Sequence, residues 1–370
     1  MKKIFLWIGL FLIFIFGVFL FIMLKSTKTN NFKNGEIKIF CWGQYISDGT
    51  DNSLNILETF EKEENIKVAA FNTFDSCEQM YAKLKNGNSN YDIIFTSDYM
   101  VKRLIDENLI QKIDKSKLKN YKNIMDSCKG SFWGFDKYDM YSVPYSWGHV
   151  AIIYNEPYIN QLTGKDAKSV VTGLDALWDR RLKQEILMFI GSRDSFSIAQ
   201  KILKNSINTT NEKHIHRAAK LLKNQKKLIQ AYVMDEMFDK MENNEAAISL
   251  AYSGDIMKMM ENNKNLRYCF PKEGTNVFID TVCIPSNAKN VNNALKFIDF
   301  LCKDYIAKAN AEFSSYSTPN KAAWALLDDN IKNNKIAYPD KETLKKCEVH
   351  LPLPKKLNEL IETLWANIRT

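Results

Sequence analysis

From Glu36 onward the chain alternates short apolar runs with amphipathic helical stretches, three times in succession before residue 112. EIKIFCW (36–42), IKVAAFNTF (66–74) and YDIIFTS (91–97) are short, apolar and rich in β-branched and aromatic residues, which predicts strands. LNILETFEKEENI (54–66) and CEQMYAKLKNG (77–87) carry their apolar residues at helical spacing, and the second stops at Gly87. TSDYMVKRLIDENLI (96–110) predicts a third helix, with Ser97 and Asp98 as capping candidates. This βαβαβα rhythm predicts an α/β fold with a parallel sheet and helices on both faces. Ligands of such sheets sit beyond the carboxyl ends of the strands. That places Trp42 and Tyr45, just after the first strand, on the same rim as Ser97 to Tyr99, just after the third.

After Pro144 a second α/β unit is expected. Its strand-like runs are HVAIIYN (149–155), EILMFIG (185–191), AAISLAY (246–252), LRYCFP (266–271) and NVFIDTVCIP (276–285). Helical patterns cover SIAQKILKNSI (197–207), residues 212–229 and NNALKFIDFLCKDYIAKANAEF (292–313). With no internal repeat and no long linker, two α/β lobes joined by more than one crossing are the consistent architecture. The 370 residues suffice for two such lobes, and 45% hydrophobic with 25% charged residues excludes a disordered chain or a polytopic membrane protein.

The net charge of +8 comes from scattered Lys that alternate with Asp, Glu and Asn, so no clustered basic face for nucleic acid is present. The seven Cys show no metal-ligand spacing, and those in apolar runs, such as Cys283 and Cys302, read as small core side chains; a disulfide at Cys77 or Cys128 stays open. His214 and His216 form an H-x-H on a charged helix, which sends them to different faces and argues against metal ligation. Neither a metal nor a cofactor is expected. No G-x-S-x-G, H-E-x-x-H or P-loop pattern is found, so nothing in the chain converges on catalysis.

Residues 4–24 form one apolar run, flanked by Lys2 and Lys3 before it and Lys25 after it, long enough for a transmembrane helix of about 20 residues. It ends in MLKST, without the small-residue pattern of a cleavage site and without a Cys for lipidation. An uncleaved signal anchor over 4–24 is the expectation, followed by a polar tether over 25–35.

Several stretches carry a further signal. MYAKLK (80–85), QKIDKSKLKN (111–120), SVPYSWG (142–148), PKEGTNVFIDTVCIPSNAKN (271–290), STPNKAA (317–323) and YPDKETL (338–344) closely resemble segments of bacterial spermidine/putrescine-binding proteins, in the same order. The resemblance implies a two-lobed periplasmic-binding-protein fold (type II-like) with a ligand cleft between lobes. It implies an N-terminal lobe of 36–143 and 278–325, and a C-terminal lobe of 144–277 and 326–370. A polyamine would bind in the cleft and pass to ABC permease subunits with their ATPase, at the outer face of the cytoplasmic membrane.

A polyamine is a methylene chain bearing ammonium groups. Each buried ammonium needs carboxylates or other acceptors, because an unpaired buried charge costs several kcal/mol. Aromatic faces add roughly 0.5–2 kcal/mol each as cation–π partners. The resemblance assigns Trp42 and Tyr45 as aromatic walls, with Gln44 at a position that is often acidic. Ser97 and Tyr99 match polar positions of the pocket, and Tyr252 stands where Trp is usual. Phe278 and Tyr316 match further aromatic positions, Asp280 the central carboxylate, and Asp255 an acidic position of putrescine-selective members. Asp194 aligns with an acid, whereas Gly191 replaces one, and His350 lies where some members have Gln.

The residues themselves leave other roles open. Asp280 is also readable as a structural ion pair, Asp255 as a cap of the following helix, and Trp147 as a support for the crossing. Rival functions are a carrier or sensor for another small cationic amine and, remotely, a membrane-anchored enzyme with paired carboxylates.

Overall fold

The computed structural model describes residues 32–369 apart from Gln44, Asp75 and Asn88. The apolar run 4–24 and residues 25–31 of the tether lie outside the described residues, as does Gln44. Among the described residues no helix is long and apolar enough to cross a membrane. Asn34 and Gly35 are already part of the fold: Asn34 N–H donates to Asn65 O at 3.1 Å, and Gly35 O accepts from Lys67 N–H at 2.9 Å.

Strand β1 (Glu36–Trp42) pairs in parallel with β2 (Lys67–Phe74) and with β3 (Ile93–Ser97), as the βαβ rhythm requires. The two crossovers are helices with side-chain caps. Asn55 accepts from Glu58 N–H at 3.1 Å ahead of Ile56–Glu64, and Ser76 accepts from Gln79 N–H at 3.2 Å ahead of Cys77–Lys85.

The two lobes share their central strands. Strand β4 (Ser142–Asn155) is 14 residues long and buried at all but one position. Its first half pairs antiparallel with β9 (Val277–Cys283), which in turn lies antiparallel to β3. Its second half pairs antiparallel with β7 (Ile248–Tyr252) and with β8 (Leu266–Cys269). Beyond β7 lie β5 (Ile186–Phe189) and β6 (Ile229–Val233), all three parallel. Each lobe therefore holds three parallel strands followed by one antiparallel strand that arrives from the other lobe. A further extended segment runs beside this junction, where Glu348 N–H donates to Thr275 O at 3.1 Å and Val277 N–H to Glu348 O at 2.9 Å.

Separate cores cover both faces of each half. One gathers Ile186, Met188, Phe196, Leu222 and Trp365; another gathers Ile39, Phe60, Phe95, Phe297 and Phe300. Aliphatic and aromatic burial of this kind contributes roughly 1.5–3 kcal/mol per large side chain before conformational entropy is set against it.

Four local expectations need correction. The strand expected over 149–155 starts earlier, at Ser142, and passes through Pro144, where a second unit was expected to begin; a register shift between Pro144 and Ser146 accommodates the missing N–H. The helix expected over 212–229 ends at Gln225, and Ile229–Val233 becomes β6, because its β-branched and aromatic residues can pair beside β5. The pattern at 197–207 belongs to a helix that starts earlier, Ser192–Ile202, and the run at 292–313 is two helices, Val291–Leu301 and Asp304–Ser314. The C-terminal helix Lys355–Arg369 escaped the reading, although Leu357, Ile361, Trp365 and Ile368 lie at helical spacing on its buried face. All seven cysteines are free thiols, six of them buried.

Candidate functional site

Asp280 sits in the middle of β9, and its neighbours across the sheet are serines on both sides, Ser97 in β3 and Ser146 in β4. Ser97 Oγ and the Tyr45 hydroxyl both donate to its carboxylate, and Tyr45 Oη lies 2.5 Å from Ser146 Oγ. The residue is 6% exposed. Burial raises its pKa, and the hydroxyls of Ser97, Tyr45 and Ser146 pull it back. Behind it Asp98, 1% exposed, accepts from the N–H of Tyr99 at 2.6 Å and of Ile279 at 3.1 Å. Burial, backed by the charge of Asp280, pushes the Asp98 carboxyl well up.

A connected file of rings runs from one lobe to the other. Centroid separations are 5.1 Å for Trp42–Tyr45, 6.3 Å for Tyr45–Tyr316, 5.9 Å for Tyr316–Phe278, 5.4 Å for Phe278–Tyr252 and 5.1 Å for Tyr252–Phe189. Two glycines make room for it. A Cβ on Gly254 would lie 2.8 Å from the Tyr316 ring, and one on Gly148 would lie 2.6 Å from Phe278.

Asp255 heads this file from the first turn of the helix Ser253–Asn262. It accepts the Tyr316 hydroxyl at 2.8 Å, and no backbone N–H cap involving it is present among the described residues, which disfavours the capping role. Desolvation raises its carboxyl to about 6, against the lowering effect of Tyr316. Asp194 occupies the equivalent place in the helix Ser192–Ile202 and is also raised to about 6, by burial first, with Glu78 adding to it and Arg193 opposing it. Tyr252 is within reach of the charges of Asp194, Asp255 and Asp280 together. Tyr99 reaches the other way, donating to Glu78 Oε1 at 2.9 Å.

His350 is buried and bonded to Ser197 Oγ at 2.7 Å; burial, with Arg193 nearby, holds its pKa well below normal, so the ring is neutral. Trp147 is 7% exposed, takes part in β4 and points Nε1 at Thr318 O, 3.3 Å away, which makes it a support of the crossing. His214 pairs with Thr209 Oγ1 at 3.0 Å and His216 is exposed.

The sequence reading missed Ser146, Glu78 and Phe189, and gave Asp98 only a cap and a place on the rim between Ser97 and Tyr99. Ser146 has no local signal, because only the β4–β9 register puts it opposite Asp280. Asp98 had one: an acid directly after an apolar strand is expensive unless its oxygens are satisfied.

Ion pairs are spread over the surface, as at Lys303–Glu63 and Lys272–Asp175, yet no cationic side chain among the described residues makes ion-pair contact with Asp98, Asp194, Asp255 or Asp280. Such a rim can hold a positively charged ligand with an apolar body. Residues 55–339 match the family model described as bacterial extracellular solute-binding protein. The chain belongs to that family. These are binding proteins rather than enzymes, and their fold is the two-lobed α/β architecture described above.

Among relatives of this solute-binding protein, the spermidine/putrescine-binding periplasmic protein of Salmonella typhimurium is 36% identical over 316 residues, covering 85% of this chain and 86% of the relative. The spermidine/putrescine ABC transporter substrate-binding protein of Streptococcus pneumoniae superposes with a TM-score of 0.78 at 34% identity, covering 90% of this chain and 98% of that one. A putative spermidine/putrescine ABC transporter protein of Listeria monocytogenes gives 0.80 at 34% identity, with 90% and 99% covered.

Proposed function

We propose that this chain binds a polyamine, putrescine or spermidine, in the cleft between its lobes and delivers it to an ABC importer. The observation that carries this reading is the set of desolvated carboxylates, Asp280, Asp255 and Asp194, which make no ion pair among the described residues and stand along a file of aromatic rings. An ammonium placed at such a carboxylate gains charge-assisted hydrogen bonds, and the methylenes gain about 0.8 kcal/mol per buried CH₂ against the rings. The relatives that bind spermidine and putrescine support the same ligand class.

In this reading Asp280 and Asp255 hold the two ends of a diamine. Trp42, Tyr45, Tyr252, Phe278 and Tyr316 form the walls, and Ser97 orients Asp280. Gln44 supplies an amide where an acid would serve better. The lobes divide as 36–143 with 278–325 and 144–277 with 326–370, and they close on the ligand as the segments joining them flex. Residues 4–24 anchor the chain, with the binding region outside the cytoplasmic membrane. The support for that is the uninterrupted apolar run between lysines.

Calorimetric titration of the full chain in mild detergent with putrescine, spermidine and spermine tests the ligand. Tight one-to-one binding of any of them is the expected result, and heats indistinguishable from dilution for all three would refute it. Intact-mass measurement of the membrane fraction tests the anchor, since a cleaved leader would remove its mass.

A further inference from the structure

The two most exposed large hydrophobic side chains among the described residues, Phe132 at 64% and Tyr138 at 68%, stand on one loop ahead of β4. Their exposure does not come from a loose chain. The buried Asp136 carboxylate accepts from the N–H groups of Met140, Tyr141 and Ser142 at 3.1, 2.9 and 3.0 Å. Asp139 accepts from Ser131 N–H at 2.8 Å, and Trp133 Nε1 donates to Ser127 O at 2.8 Å. A loop fixed from within presents its rings with no further ordering cost, as a recognition surface does.

Lysines fringe the loop. Lys137 lies over the Tyr138 ring, 5.2 Å from its centroid. The segment 111–122 is tied to the loop by Ile113 N–H, which donates to Met140 O at 2.7 Å, and by Lys115 Nζ, which donates to Ser142 O at 2.6 Å. Lys112, Lys117, Lys119, Lys122 and Lys137 are exposed and make no ion pair among the described residues, whereas Lys129 pairs with Asp126 at 2.6 Å.

The topology fixes where this patch lies. Strand β4 runs antiparallel to β9, and β9 antiparallel to β3, so β4 points the same way as β1 and β3. The loop that feeds β4 therefore leaves the sheet at the end where β1 begins, three strand spacings or about 14 Å along it. The rim of Trp42, Ser97 and Asp280 is at the opposite end. Asn34, just before β1, is already pinned to Asn65. The ten residues from Lys25 to Asn34 reach at most about 36 Å, so a bilayer that holds the run 4–24 lies within that distance of this end of the lobe.

Aromatic rings flanked by lysine suit a membrane–water boundary, where the ring sits at headgroup level and the ammonium reaches the phosphates of anionic lipid. We propose that Phe132, Tyr138 and the lysine fringe form a lipid-facing surface that rests on an anionic bilayer, with the cleft rim turned toward the solution from which free ligand arrives. The proposal rests on the reading of residues 4–24 as an anchor and adds to it a resting orientation of the lobe.

Hydroxyl-radical footprinting read by mass spectrometry tests the surface on the full chain. The chain is placed in zwitterionic vesicles, in vesicles with about 30% anionic phospholipid, and in lipid-free detergent micelles. Oxidation is measured relative to Met234, exposed just after β6 in the other lobe. Phe132 and Tyr138 are expected to react about threefold or more slowly in the anionic vesicles than in micelles, with a smaller change in the zwitterionic ones. The triple variant Lys112→Glu, Lys119→Glu, Lys137→Glu, or about 0.5 M salt on wild type, is expected to remove most of that protection. Oxidation of both rings unchanged between micelles and anionic vesicles, in a chain that stays with the vesicles through an alkaline wash, overturns the lipid-facing surface and leaves the anchor intact. Protection that appears in micelles and grows with protein concentration also overturns it, and assigns the patch to a second copy of the chain. Release of the chain from the vesicles by the wash would sink the anchor and the surface together.

Discussion

The hydroxyl of Tyr316 donates to Asp255 at 2.8 Å, joining a ring that packs on the core of β1 and β9 to a carboxylate at the head of a helix in the other lobe. The bond ties the lobes at the cleft and keeps Asp255 ionisable despite its desolvation.

Replacing Tyr316 with Phe removes that donor and leaves the ring packing. The carboxyl of Asp255 should rise further above about 6 and be less ionised at neutral pH. Putrescine binding is expected to weaken about ten- to a hundredfold at pH 7, the range for one hydrogen bond to a charged group. Much of the loss should return at pH 8.5, and a titration at both values checks it. Equal losses at both values would mean that the hydroxyl acts on geometry and not on charge.

Gly254→Ala should block closure without unfolding the chain. The added methyl would meet the Tyr316 ring at 2.8 Å, and relief requires the ring, and with it the other lobe, to move away. Affinity for putrescine is expected to fall by about tenfold or more, with a melting temperature within a few degrees of wild type. Small-angle scattering with saturating ligand should show the variant staying more extended than wild type. A variant that compacts normally would locate the hinge movement elsewhere.

Asp280→Asn separates binding from folding. The carboxylate accepts from Ser97 and Tyr45 and makes no ion pair among the described residues, so the amide oxygen can replace it without orphaning a charge. Polyamine binding should lose about 2–5 kcal/mol, the range for truncating one side of a desolvated charge pair. The ligand-free melting temperature should hold or rise, because a buried ion is no longer desolvated. A large drop in ligand-free stability would mark Asp280 as structural.

Both Asp194 and Asp255 have carboxyls raised from 3.8 to about 6. The native chain thus keeps protons at pH 4–6 that the unfolded chain has already released. The stability these two groups contribute therefore declines as pH rises through that window. The ligand-free protein should gain stability from them at pH 5 relative to pH 7.5. A cationic ligand prefers the ionised forms, so affinity should increase from pH 5 to 7.5 with proton release on binding. The charges of Arg193 and Glu78 bear on Asp194, and the Tyr316 hydroxyl with the charges of Asp235 and Lys258 on Asp255, so the two groups titrate in different surroundings. Calorimetry in buffers of different ionisation heat measures the protons; binding heats independent of buffer would contradict the assignment.

Local pattern was enough for β1, β2 and β3 and the helices between them, because strand and helix periods are written in neighbouring residues and the caps Asn55 and Ser76 act within one turn. It was also enough to place Trp42, Ser97 and Tyr252 at strand ends, and to mark Asp280 as an acid in an apolar strand. The C-terminal helix was equally visible in its spacing, and was overlooked.

What neighbouring residues could not carry was pairing. Strand β6 looks like the end of a helix until β5 offers it an edge, and β4 looks like a boundary until its two halves find partners in different lobes. Ser146 acquires its place beside Asp280 only from that register. The sequence by itself determined the elements and the chemical kinds of side chain available, since propensity and periodicity act over a few residues. The tertiary structure decided which of those side chains share a desolvated space, since burial and electrostatic coupling depend on distance through the fold and not along the chain.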